Sequence, residues 1–178
     1  MIIKILLGLA ILVAALAVFI ATRPSDFRIT RSAVLPAPPS VVFPQVNDLH
    51  KWEAWSPWAK LDPNSKTTFD GPPAGTGSSM AWAGNEQVGE GKMTITESKL
   101  NELILMRLEF IKPFQATNAT EFTFKPEGSG TLVTWTMSGQ NNFVGKAIGL
   151  FMNCEKMLGG QFEQGLDNLK KVVSTGQN

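Results

Sequence analysis

Few side chains in this sequence have the chemistry of a catalyst. His50 is the only histidine and Cys154 the only cysteine among 178 residues. A zinc site needs several such ligands together, and a nucleophile–histidine triad would have to begin at His50, beside Lys51 at the end of a predicted helix. Cys154 falls in an apolar helical pattern, where a thiol more often packs as a small hydrophobe than attacks. The carboxylates Glu90, Glu97, Glu109 and Glu121 are spread over separate strand-like runs, most of them on the polar phase. That is the pattern of a solvated surface rather than of an acid/base pair. Asn118 differs, because its phase puts it on the side of Phe122 and Phe124. A buried amide must find partners, and in a cavity it could orient a carbonyl or hydroxyl of a ligand; otherwise it bonds neighbouring backbone or ordered water.

Other signals carry less. Gly71-Pro72-Pro73-Ala74-Gly75-Thr76-Gly77 lacks the Lys-Ser/Thr ending of a phosphate loop and reads as a turn. Asn118-Ala119-Thr120 fits a glycosylation sequon but lies within a strand pattern. Sixteen basic and fifteen acidic residues nearly cancel and are scattered, so no stripe of positive charge suits nucleic acid as a partner. No metal or organic cofactor is expected, and nothing in the sequence names a protein partner.

Aromatic residues are the stronger signal. HKWEAWSPWAKLDP carries Trp52, Trp55 and Trp58, three of the five tryptophans, at spacings of three. They are either a binding surface or a plug for a core. On a helix Trp52 and Trp55 share a side, and Pro57 turns the chain before Trp58.

The elements that must hold these residues follow from periodicity. Residues 5–21, ILLGLAILVAALAVFIA, contain no polar side chain. As a helix they span about 26 Å, near the hydrocarbon thickness of a bilayer. Eleven Ile, Leu, Val and Phe residues there favour insertion by about 5 kcal/mol in total. A cleaved signal peptide ending near Ala15-Leu16-Ala17 is the competitor, but it would leave Val18-Phe19-Ile20 as an apolar tail, so an uncleaved anchor is preferred. Arg23, Arg28 and Arg31 after the segment outnumber Lys4 before it, which slightly favours a cytoplasmic domain over an exported one.

Residues 1–23 are thus expected as the anchor and 24–178 as one domain. DFRITRSAVL alternates as a strand, and Pro36 to Ser40 ends it. Two short helices follow, over residues 41–49 and 48–55. Six further strands are predicted at about 66–70, 78–83, 89–99, 102–112, 115–125 and 131–138, joined by short turns as an antiparallel meander. Residues 144–174 read as one long amphipathic helix, with Ile148, Phe151, Leu158, Phe162, Leu166, Leu169 and Val173 on one face. Strand alternation points Met80, Trp82, Met93, Ile95, Ile104, Met106, Leu108, Phe110, Phe122, Phe124, Val133, Trp135 and Met137 inward. Met152 and Met157 lie on the long helix, as do Gly145, Gly149, Gly159, Gly160 and Gly165. Methionine adapts to irregular apolar guests, and the glycines either bend the helix or leave room beside it; an ordinary core with close contacts would use both equally well.

This order of elements, with WEAWSPWAKLDP and GLFMNCEKMLGGQFEQGLDNLK, resembles the START-like, helix-grip (SRPBCC) superfamily. It looks most similar to polyketide cyclase/dehydrase and lipid-transport proteins. The resemblance implies an α+β fold in which a curved sheet of about seven strands wraps a long C-terminal helix around a deep apolar cavity. In relatives that cavity holds lipids, sterols, quinones or aromatic polyketides. No catalytic set carries over onto these residues. The expected ligand-facing residues are Trp58, Trp82, Met93, Met106, Phe110, Asn118, Phe122, Trp135, Met137 and Phe151. The expected function is membrane-anchored binding or transfer of an apolar small molecule, with a polyketide cyclase or dehydratase, or a structural interaction domain, as alternatives.

Overall fold

The computed structural model describes residues 2–150 and 153–176. An apolar helix α1 (Ile2–Ala21) precedes strand β1 (Asp26–Leu35) and helix α2 (Pro39–Asn47), then a 3-10 helix (Leu49–Ala54). Strands β2 (Lys66–Asp70), β3 (Ser79–Ala83), β4 (Glu90–Lys99), β5 (Leu103–Lys112), β6 (Ala116–Glu127) and β7 (Gly130–Gln140) follow. Helices α3 (Phe143–Gly149) and α4 (Cys154–Ser174) end the described chain.

The strands form one antiparallel sheet in the order β1-β7-β6-β5-β4-β3-β2, so the meander is closed on one side by the first strand pairing with the last. Register settles the faces, because paired residues share a face and neighbours along a strand alternate. Ile29, Met137, Thr120, Met106 and Ile95 make one inner row across five strands. A register shift between Ile95 and Glu97 marks a bulge that resets the phase. It keeps Glu97 opposite outward Leu105 and turns Ser98 inward, where its Oγ donates to Asn47 Oδ1 at 2.7 Å.

Both short segments after β1 have local causes. Pro39 opens α2 with its φ already set and no N–H to leave unpaired. Asp48 caps the 3-10 helix by accepting from the backbone N–H of His50 at 3.0 Å. In a 3-10 helix residues three apart eclipse, which brings Trp52 and Trp55 to 4.5 Å between ring centroids. Their indoles also finish α2: Trp52 Nε1 donates to the Val46 carbonyl and Trp55 Nε1 to the Gln45 carbonyl, each at 2.9 Å. Those oxygens lie in the last turn of α2, where no helical N–H remains to meet them.

The expected single helix over residues 144–174 is instead two. Asn153 caps α4, its side chain accepting from the N–H of Lys156, while Gly149 lies at the end of α3. A capping Asn outside helical geometry starts a new helix, so apolar periodicity alone overran the break. Phe151 and Met152, expected on that helix, lie outside the described residues. Within α4 the inward stripe holds, with Phe162, Leu166, Leu169 and Val173 buried and Leu158 half-buried.

Candidate functional site

The inner face of the sheet is not uniformly covered. Toward the end formed by Leu35, Val133 and Phe124, it is sealed by α2, the 3-10 helix and α4, with Val42, Phe43, Val46, Leu49 and Trp55 essentially inaccessible. At mid-sheet the rings are packed face to edge or face to face. Trp135 stacks on Phe162 at 4.2 Å, lies 4.8 Å from Phe122, and takes the edges of Trp52, Trp55 and Trp58.

Toward the other end, where β1 starts and β7 finishes, the described residues leave the inner face only half covered. The row Phe27, Gly139, Asn118, Leu108, Met93 and Met80 mixes buried with half-buried residues. One step further out, Phe110 and Trp82 flank Gly91 and remain half-buried. Gly91 is required there: a β-carbon would stand 2.5 Å from the indole of Trp82, whose Nε1 is tied to the Val88 carbonyl at 3.0 Å. The open rows are therefore apolar and aromatic, with Phe110 meeting Trp82 edge to face at 6.1 Å.

Polar atoms are sparse here, and some have no partner among the described residues. Asn118 is 7% exposed and lies over Gly139 beside Phe27, with its Oδ1 buried and unbonded. Trp135 Nε1 and, on α4, Gln161 Oε1 are likewise buried without partners. A buried unpaired amide or indole costs about 1–3 kcal/mol, so three among the core elements call for an explanation.

Arg31 is the one charged residue at inward strand positions among the described residues. It sits in phase with Phe27 and Ile29, paired across β7 with Trp135. Nη2 meets Glu155 at 2.8 Å and Nε meets Glu163 at 2.6 Å, both from α4. Hydrogen bonds that the guanidinium donates to Glu155 first and Glu163 second hold it above its ordinary pKa. Gly159 makes room for it, since a β-carbon would collide with Nη2. The alternation Phe27, Ile29, Arg31 is the sequence signal for this inward cation.

The residues expected to face ligand divide along this gradient. Met93, Met106, Phe122, Trp135 and Met137 are buried, Asn118 is buried with its orphan oxygen, and Trp58, Trp82 and Phe110 are half-buried. Phe151 lies outside the described residues. Trp58 meets Trp135 at 5.8 Å and Phe162 at 6.4 Å, both edge to face, so it extends the ring cluster. A groove of about 930 Å³ runs along the sheet, and most of its walls are outward side chains such as Arg28, Arg107, Thr117, Glu121 and Ser138. It lies on the face opposite the expected cavity, and the inner face at mid-sheet is filled by rings.

The carboxylates behave as solvated partners. Glu109 pairs with Arg107 at 3.2 Å, Glu90 with Lys112 at 2.7 Å, Glu97 with Lys99 at 2.9 Å, and Glu121 with Arg28 at 3.9 Å. His50 pairs with Asp48 and stacks at 3.9 Å on Phe69, which pairs with Met80 and so sits at the β2 end of the Asn118 row, four strands from Asn118 itself. Among the described residues no cluster of His, Cys, Asp or Glu could hold a metal ion.

A family model described as polyketide cyclase / dehydrase and lipid transport matches residues 26–174. Solved structures share the fold at low identity. Protein SA2116 of unknown function from Staphylococcus aureus has 11% identity and a TM-score of 0.65, covering 86% of this chain and 97% of its own. MLL2253 from Mesorhizobium loti has 14% identity and a TM-score of 0.62 over 85% and 99%. CV1439 from Chromobacterium violaceum has 18% identity and a TM-score of 0.58 over 85% and 98%. A comparison with curated proteins finds no match.

Proposed function

The chain belongs to the polyketide cyclase / dehydrase and lipid transport family, and on that premise we propose that it is a membrane-anchored module that binds or transfers an apolar small molecule. The ligand, a lipid, quinone or polyketide-like molecule, occupies the uncovered inner rows between the sheet and the start of α4. The observation that carries this reading is the Asn118 row: apolar side chains left half-covered around a buried carbonyl oxygen that has no partner. A ligand hydroxyl or amide donating to Asn118 Oδ1 would supply the missing bond, while Phe27, Leu108, Phe110 and Trp82 take its apolar body. α1 is exposed along its length except at Ile20 and is strongly apolar, with mean hydropathy 2.8 over its best window, as an anchor for residues 24–178 would be.

Turnover is the weaker alternative. Among the described residues no carboxylate or histidine occupies an inner strand position, and Arg31 is already held by two glutamates. A cyclase or dehydratase would need a group able to move a proton beside Asn118.

Native mass spectrometry of the full chain, released from detergent micelles in the gas phase, tests the binding reading. The expected result is a retained apolar adduct that disappears in Leu108→Trp, which fills the row. No adduct on the wild type, or one unaffected by that substitution, would sink it.

A further inference from the structure

Antiparallel register brings separate pieces of chain to one end of the sheet. Asp26 pairs with Gln140, Phe110 with Ala116, and Glu90 with Lys112, so the start of β1, the end of β7 and the β5–β6 connection share that end. It is also the end at which the inner rows are uncovered, and the end from which α1 departs, four residues before β1.

Exposed apolar side chains gather there. Ile111 and Phe114 in the β5–β6 connection are 46% and 57% exposed. On α3 and just after it, Phe143, Val144 and Leu150 are 50%, 46% and 36% exposed. Scattered apolar residues are ordinary on a surface, but five on one end are not.

The contacts of α1 set their height relative to a bilayer. As a helix of 20 residues α1 is about 30 Å long, a full hydrocarbon thickness, so Ala21 falls at the boundary with the headgroups. Lys146 Nζ of α3 donates to the Ala21 carbonyl at 3.2 Å, and Arg23 lies 4.1 Å over the Phe19 ring, an arrangement suited to the interface. α3 is therefore pinned level with the end of the apolar helix, at the depth where exposed Phe and Val side chains meet acyl chains rather than water.

We propose that this end of the fold is a bilayer-contact face, with Phe114 and Phe143 inserted into the membrane that α1 spans. This rests on the anchor reading above. Its consequence is that the half-covered rows around Phe27, Phe110 and Trp82 open toward lipid. An apolar ligand then passes between bilayer and protein without crossing water.

The test uses the full chain in phosphatidylcholine nanodiscs, with the photo-crosslinker p-benzoylphenylalanine placed singly at four positions. Leu12 reports on α1, Phe114 and Phe143 on the proposed face, and Leu100, 76% exposed in the β4–β5 turn at the opposite end, is the control. Lipid adducts at 12, 114 and 143 and none at 100 are expected. Adducts at 12 without adducts at 114 and 143 overturn the contact face while leaving the anchor intact. Crosslinks from 114 and 143 to a second copy of the chain overturn it in favour of a dimer surface. Absence of adducts at 12 removes the anchor, and the contact face with it.

Discussion

Gly165 of α4 lies so close to Trp135 of β7 that a β-carbon would stand 2.8 Å from the indole and 3.2 Å from Pro57. Both neighbours are rigid, and Trp135 is held in turn by Phe162 and Phe122. The glycines of α4 thus differ in what they permit. Gly159 makes room for a guanidinium, whereas Gly160 has nothing within 4 Å of its β-carbon position.

Opposite signs are therefore expected from the same substitution. Gly160→Ala should stabilise the fold by up to about 1 kcal/mol through helix propensity alone. Gly165→Ala gains the same propensity but overpacks a rigid site at about 1–3 kcal/mol, so its net effect is a loss. Chemical denaturation of the two variants beside the wild type checks the order Gly160→Ala, wild type, Gly165→Ala.

Trp55→Phe keeps most of the buried ring but removes the donor to the Gln45 carbonyl. Leaving that buried oxygen unpaired should cost about 1–3 kcal/mol, beyond any loss of packing. Trp58→Phe, at a half-buried position, should cost less. Equilibrium unfolding midpoints separate the two, and equal losses would mean that the indole bond to α2 contributes little.

Asn118→Leu replaces an unpartnered buried amide by an apolar group of similar size. Stability should be unchanged or raised, because no bond is lost. Retention of the apolar adduct should fall, by about tenfold if one hydrogen bond of about 1.4 kcal/mol goes with it. A titration followed by native mass spectrometry, paired with thermal unfolding of the same variant, reads both quantities.

Lys112 and Lys99 are held above their ordinary pKa of 10.5, first by hydrogen bonds to Glu90 and Glu97 and then by the charges of those carboxylates. A lysine whose folded pKa is raised contributes stability that is complete below the unfolded value and is lost as pH rises through the folded one. These pairs should leave stability flat through neutral pH and weaken it only as pH rises past the ordinary value of 10.5. Both lysines are largely exposed, so the effect is small. Thermal unfolding from pH 7 to 11, with Lys112→Gln losing part of the alkaline decline, is the measurement.

Much of the fold was legible because backbone geometry repeats locally. Period-two alternation placed Met106, Phe122 and Trp135 on one face, and the register of all six strand pairs agrees with it. Pro57 was enough to end the 3-10 helix before it reached Trp58. The break between α3 and α4 was not legible from apolar spacing, since Ile148 and Phe151 continue the stripe of Leu158 and Phe162 upstream without interruption.

The sequence by itself determined an apolar segment of membrane-spanning length, a first strand and a six-stranded meander with one apolar face, and a tryptophan pair on one side of a short helix. Each follows from spacings within one element, where covalent geometry turns residue intervals into directions. Only the tertiary structure decided that Arg31 is neutralised by Glu155 and Glu163, that Asn118 Oδ1 is buried without a partner, and that rings fill mid-sheet while the α1 end stays uncovered. Those outcomes depend on strand register and on how α4 lies across the sheet. Residues more than a hundred positions apart meet there, and no local interval encodes whether they do.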